Sequence, residues 1–150
     1  MTAADFQMAV KSTLDRIGHD LVTASGAVGG VDLDDTVNVD DILTNEDSLI
    51  LWQLLSMDEY PRDPMYRVVF GFGGKTCKDP GNYSLVALQQ AVSANLFKGA
   101  HIELRDYSGA SPSEIKGSLT VTQASMTPQE VENDSGLRMF MFSAAGLRRV

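Results

Sequence analysis

The chain has 150 residues, 43% of them hydrophobic, with a formal charge of −8 at pH 7; that is enough for one domain with one core and too little for two substantial ones. The charge is uneven. Residues 1–60 carry 12 acids against Lys11 and Arg16, a net of −10, whereas residues 61–150 carry eight acids against ten bases, a net of +2. That balance argues against general nucleic-acid binding, which requires a cationic footprint, and it suits either head-to-tail contacts between copies or a solvated acidic loop.

Cys77 is the only cysteine and there are two histidines, so an internal disulfide is impossible and a thiolate and imidazole zinc site is disfavoured. Asp5, Lys11, Asp15 and Arg16 interrupt the first apolar run, and no stretch reaches the roughly 18 apolar residues of a membrane span. The expectation is a soluble protein made in the cytoplasm, without cofactor or metal.

In chain order, Thr2 with Asp5 three residues on is a capping-box-like start, and Phe6, Val10, Leu14, Ile17 and Leu21 form an apolar stripe. A helix is predicted over Ala3 to Ala24. Gly26, Gly29 and Gly30 end it, and residues 25–47 read as an extended acidic arm with isolated Val37, Val39, Ile42 and Leu43 that could order on assembly. Ser48 to Met57, apolar on both alternating faces, reads as a central strand, with a short helix as the alternative. The turn-rich Asp58 to Pro64 then reverses the chain into a second strand, Met65 to Phe72, and Trp52 is assigned to the core.

Asn82 to Phe97 is the best-marked element. Leu85, Leu88, Val92 and Leu96 recur at helical spacing, Asn82 or Ser84 can cap the start, and Lys98-Gly99 favours a C-terminal stop. With the strand before it and the alternating His101 to Ser108 after it, this helix reads as the centre of a strand, helix, strand unit. Gly109 to Gly117 is a loop, Ser118 to Met126 a strand, Thr127 to Gly136 a turn-rich linker, and Leu137 to Phe142 the closing strand ahead of a short tail. The predicted fold is α+β: a mainly antiparallel sheet of about five strands packed by two helices, as one domain over residues 1–150.

Several chemical motifs are tested and fail. Gly71-Phe-Gly-Gly-Lys-Thr76 resembles the end of a phosphate-binding loop, but Val69 stands where its first glycine must be and Pro80-Gly81 breaks the chain where a helix should begin. Asp32, Asp34, Asp35, Asn38, Asp40 and Asp41 offer hard oxygens to calcium, yet a register starting at Asp32 puts Val37 and Leu43 where glycine and glutamate are needed. His19, His101 and Cys77 sit in no recognisable catalytic pattern; Lys75 and Lys78 near Cys77 could lower its pKa but supply no base. Met139 and Met141 read as adaptable packing. Catalysis is not expected.

The order of a helix, an arm, a hairpin, a helix and three further strands resembles the tail terminator proteins of tailed bacteriophages. The matching parts are the helix opening at Thr2, the hairpin from Leu49 to Phe72, the Asn82 to Phe97 helix and the strand Leu137 to Phe142. That resemblance implies a virion protein at the tail-neck junction, forming a homohexameric ring that caps the tail tube, ends its polymerisation and seats the neck. Its implied partners are the tail tube protein and a neck or connector protein, with the sheath protein as a further candidate, while DNA passes through without specific binding. Cyclic head-to-tail contact needs two complementary patches, for which Asp34, Asp35, Asp40 and Asp41 on one side and Lys75, Lys78, Arg148 and Arg149 on the other are the candidates. The alternatives are another phage neck or head-completion protein and, in a different class, a small α/β enzyme or ligand-binding module, which a deep pocket containing His101 would favour.

Overall fold

The computed structural model of the chain describes residues 2–25, 29–33, 49–75, 89–125, 127, 129–130 and 137–149. The first helix, α1 (Ala3–Ser25), begins as its sequence dictates. The Asp5 amide donates to Thr2 Oγ1 at 3.2 Å and the Thr2 amide donates to Asp5 Oδ2 at 2.9 Å, so aspartate does the work of the usual glutamate in a reciprocal cap. Phe6, Val10, Leu14 and Leu21 are buried along one stripe and Ile17 is partly buried beside them; each full burial contributes roughly 1.5–3 kcal/mol.

Among the described residues, seven strands form one sheet: β1 (Gly29–Asp32), β2 (Leu49–Glu59), β3 (Met65–Lys75), β4 (His101–Leu104), β5 (Gly117–Ala124), β6 (Gln129–Glu130) and β7 (Leu137–Arg148). Their order is β1-β2-β3-β7-β5-β4, with β6 also paired to β7. The β1–β2 pair is parallel and the other pairs are antiparallel, so the chain has an α+β fold. The five strands read from sequence are all present. β1 and β6 are additions: the four residues of β1 pair with Leu49 to Trp52, which takes 29–32 out of the arm expected over 25–47, and 26–28 and 34–47 of that arm lie outside the described residues.

Alternation decides which face is buried. Tyr66, Val68, Phe70 and Phe72 of β3, Phe140, Phe142 and Ala144 of β7, Leu119 and Val121 of β5, and Trp52 of β2 point to the side covered by α1 and make one core with it. Phe70 stacks on Phe142 with centroids 5.3 Å apart. Trp52 is a core residue, as expected.

Two boundaries move. The strand expected over His101 to Ser108 ends at Leu104, because side chains take over the next backbone groups. Thr13 Oγ1 donates to the Arg105 carbonyl at 3.1 Å and accepts from its amide at 3.2 Å, Ser113 Oγ accepts from the Asp106 amide at 2.8 Å, and Ser12 Oγ accepts from the Tyr107 amide at 2.7 Å. The closing strand runs on from Phe142 to Arg148, so the expected tail is sheet. Of the second helix, 82–88 lies outside the described residues; α2 is helical over 89–93 and stops before Phe97. Val92 and Leu96 are buried as its stripe requires, but the helix ends six residues before Gly99, whose φ of 93° belongs to a separate turn and whose amide donates to the Val121 carbonyl at 2.7 Å, so the expected Lys98-Gly99 stop does not end it.

Candidate functional site

Three features carry charge or exposed apolar surface on this frame. The first joins α1 to the start of the sheet. Lys11 and Asp15 stand one turn apart on α1, and the buried Asp32 at the end of β1, 8% exposed, pairs with the Lys11 ammonium. Trp52 Nε1 donates to Asp15 Oδ1 at 2.8 Å, and His19 meets the Trp52 ring edge-on at 5.2 Å. Burial, then the hydrogen bond with Asp32, pushes the Asp15 carboxyl up to about 6. A proton-holding carboxyl beside a carboxylate is an arrangement used in acid–base catalysis. Here, however, Asp15 is engaged by Trp52 and Asp32, and Asp32 by Lys11. The cluster fastens β1 to the helix.

The second feature ties the β2–β3 turn to the end of β7. Arg148 Nε donates to Asp63 Oδ1 at 2.8 Å and its NH2 nitrogen donates to Oδ2 at 2.5 Å. Tyr66 Oη donates to the same Oδ1, and the Arg148 amide donates to the Pro64 carbonyl at 2.8 Å. The guanidinium and then the phenol hold the Asp63 carboxyl down at about 2, while Asp63 pushes the Tyr66 phenol up.

The third is the outer face of the sheet, opposite α1. Two register rows cross it, one running Asp58, Arg67, Ala145, Thr120 and His101, the next running Met65, Leu147, Ser118 and Glu103. Met65 is 46% exposed and Leu147 52%, side by side, with Tyr60 and Leu55 also exposed nearby. The Arg67 guanidinium lies over the Tyr60 ring, 5.4 Å from its centroid. A depression of about 360 Å³ opens at the far end of the second row, lined by His101, Glu103, Ile115, Ser118, Leu147 and Arg149. His101 Nδ1 is 3.4 Å from Thr120 Oγ1, and Glu103 is 3.6 Å from Arg105.

Of the contact residues read from sequence, Asp34, Asp35, Asp40, Asp41 and Lys78 lie outside the described residues, as does Cys77. The Lys75 backbone pairs with Leu137 at the end of β3, so the glycine-rich stretch from Gly71 is strand and not a phosphate-binding turn. Arg148 is held within the subunit by Asp63, whereas Arg149 is exposed on the rim of the depression. Asp32, read with the acidic loop, is buried in an ion pair. No group of three or more His, Cys, Asp or Glu side chains able to hold a metal occurs among the described residues, and none of the described helices is long and apolar enough to cross a membrane. Lys11, Asp15 and Asp63 escaped the sequence reading because their partners are 21, 17 and 85 positions away. Met65 could have been found, since it is a large apolar residue on the Arg67 side of its strand's alternation; Leu147 could not, because the small residues from Ser143 to Gly146 hide the register of β7.

Compared with family models and with curated proteins, the chain matches none.

Proposed function

We propose that this chain is a structural virion protein of a tailed bacteriophage: a tail-terminator-like subunit whose copies close into a ring, the hexamer the resemblance implies, that caps the tail tube, ends its polymerisation and joins the tail to the neck. The observation that carries the reading is the two-sidedness of the sheet. One face holds the core under α1, and the other presents Leu55, Tyr60, Met65 and Leu147 to the surface, where an assembling subunit needs apolar contact area. The element order also supports it: capped helix, hairpin, helix and long closing strand follow one another as the resemblance expects. The depression at His101 is a shallow part of this same surface, which favours fitting against a partner over enclosing a substrate.

Ring closure is heterologous and uses two different patches on each subunit. The cationic one draws on Arg149, with Arg148 fixing the strand end from which it projects. The test is electron microscopy of the purified protein with tail tubes. Rings seated on tube ends, together with tubes that no longer lengthen, are the expected result. Tubes that stay bare and keep growing in excess protein would overturn the reading.

A further inference from the structure

We propose that β1 is a proton-held edge strand: one hydrogen shared between Asp15 of α1 and Asp32 of β1 keeps it docked, and loss of that hydrogen lets β1 open away from the Trp52 ring while the rest of the sheet stays paired. Such a latch works whether or not copies assemble into a ring.

The geometry of the seat requires the hydrogen. Trp52 Nε1 donates to Asp15 Oδ1 at 2.8 Å, the Lys11 ammonium donates to Asp32 Oδ2, and the two carboxyl groups are hydrogen-bonded to each other. Carboxylates only accept, so one of the pair must carry a proton. With Asp15 protonated, its O–H donates to Asp32 and Lys11 balances the charge that remains. With Asp15 ionised, two carboxylates face each other beside that ammonium, and Asp32 is too buried for water to take over the missing bond. The neighbouring groups supply no replacement. On α1, Arg16 is engaged by Asp20 at 3.4 Å and by the Tyr107 ring, and His19 meets the edge of the Trp52 ring. β2 contributes the indole, and its own Asp58 and Glu59 lie beyond the stretch that pairs with β1.

Little else holds β1. It has four residues, two of them glycine, and Asp32 is the buried one. It stands at the end of the strand order, whereas β2 is held independently by β3 from Ile50 to Glu59, and α1 is held in the core by Phe6, Val10 and Leu14. Opening can therefore stop at β1. Gly30 lies against the Trp52 ring, and the Leu33 amide donates to the Trp52 carbonyl at 2.9 Å, so both contacts are lost when the strand leaves. The Asp15 carboxyl, raised to about 6, puts the change near neutral pH: β1 is held below that value and released as pH rises through it.

Amide hydrogen exchange on the full chain, followed by nuclear magnetic resonance at about pH 5 and about pH 7.5 and divided by the intrinsic rate at each pH, tests the latch. Opening at Leu33 should be about tenfold more frequent at the higher pH, the partial exposure of Asp15 limiting the change. It should also be more frequent than at Phe70 in β3 and nearly indifferent to low urea, as befits an opening that uncovers a few residues. In Asp15→Asn the side-chain carbonyl still accepts from Trp52 and its amide donates to Asp32 with no proton to lose, so Leu33 should be equally protected at both pH values. His19→Gln should keep the wild-type dependence, which separates the latch from the other side chain at this ring that changes charge near neutral pH. Equal protection of Leu33 at both pH values in the wild type, Leu33 and Phe70 opening together, a dependence that survives in Asp15→Asn, or one that vanishes in His19→Gln would each overturn the proposal.

Discussion

Trp52 reaches from β2 to α1, where its indole nitrogen donates to Asp15, and its ring lies in the space that Gly18 leaves by having no side chain. A Cβ on Gly18 would sit 2.4 Å from the Cε3 carbon of the ring, and one on Gly30 would sit 2.5 Å from its Cζ3. Alanine at Gly18 gains about 1 kcal/mol of helix propensity and loses about 1–3 kcal/mol to overpacking against a rigid aromatic. The loss is expected to win. Urea unfolding should show Gly18→Ala and Gly30→Ala both less stable than wild type, and the double variant should fall short of the sum because both press on one ring.

The same contact makes stability depend on pH. Asp15 holds its proton up to about 6 in the folded chain against 3.8 ordinarily. A raised carboxyl contributes its stabilisation below the unfolded value and loses it as pH rises through the folded one. The half-buried site is partly screened by solvent, so the loss between about pH 4.5 and about pH 7.5 should be on the order of 1 kcal/mol. Asp15→Asn should flatten the urea midpoint over that interval. A profile that keeps its slope in the variant would locate the effect elsewhere.

Asp63 works in the opposite sense. Its carboxyl is held at about 2 by Arg148 and Tyr66, so its contribution is present above the unfolded value of 3.8 and disappears as pH falls from there through about 2. Asp63→Asn should unfold at higher pH than wild type in an acid titration followed by near-ultraviolet circular dichroism. Arg148→Met should reproduce that acid sensitivity, since it removes the group that depresses the carboxyl.

Thr13 serves in place of a strand neighbour. It is 4% exposed, and its hydroxyl satisfies both the amide and the carbonyl of Arg105. Thr13→Val keeps the shape and deletes both bonds, leaving two backbone groups short of a partner at a cost of about 1–3 kcal/mol. Hydrogen exchange at the Arg105 amide should accelerate in Thr13→Val and remain slow in Thr13→Ser.

What the sequence made legible was periodicity, and what it hid was long-range substitution. The α1 stripe and the strands β2, β3, β4, β5 and β7 each announce themselves within a window of about ten residues. The extension of β7 did not, because Ser143, Ala144, Ala145 and Gly146 are too small to show alternation. Yet the smallness is structural: a Cβ on Gly146 would lie 3.2 Å from the Phe6 ring, so a larger residue would push α1 off the sheet. Likewise β4 stops early for a reason written 92 positions upstream, in Thr13. β1 was concealed by aspartates that read as solvent-facing, although Asp32 is buried against Lys11. The exposed outer face was half visible: Met65 could be noticed in its strand, but only the register of β3 with β7 places Leu147 beside it.

Phe6 rests against Gly117 of β5 and Gly146 of β7, so the first turns of α1 are seated on strands that lie more than 100 positions further along the chain. During translation α1 emerges ahead of those strands, and while its later turns can pack on β1 and β2, the Phe6 end of its apolar stripe stays uncovered until β5 and β7 have followed. Nascent chains arrested ahead of β5 should accordingly leave that end of the helix open to chaperones, whereas chains extended past β7 should cover it.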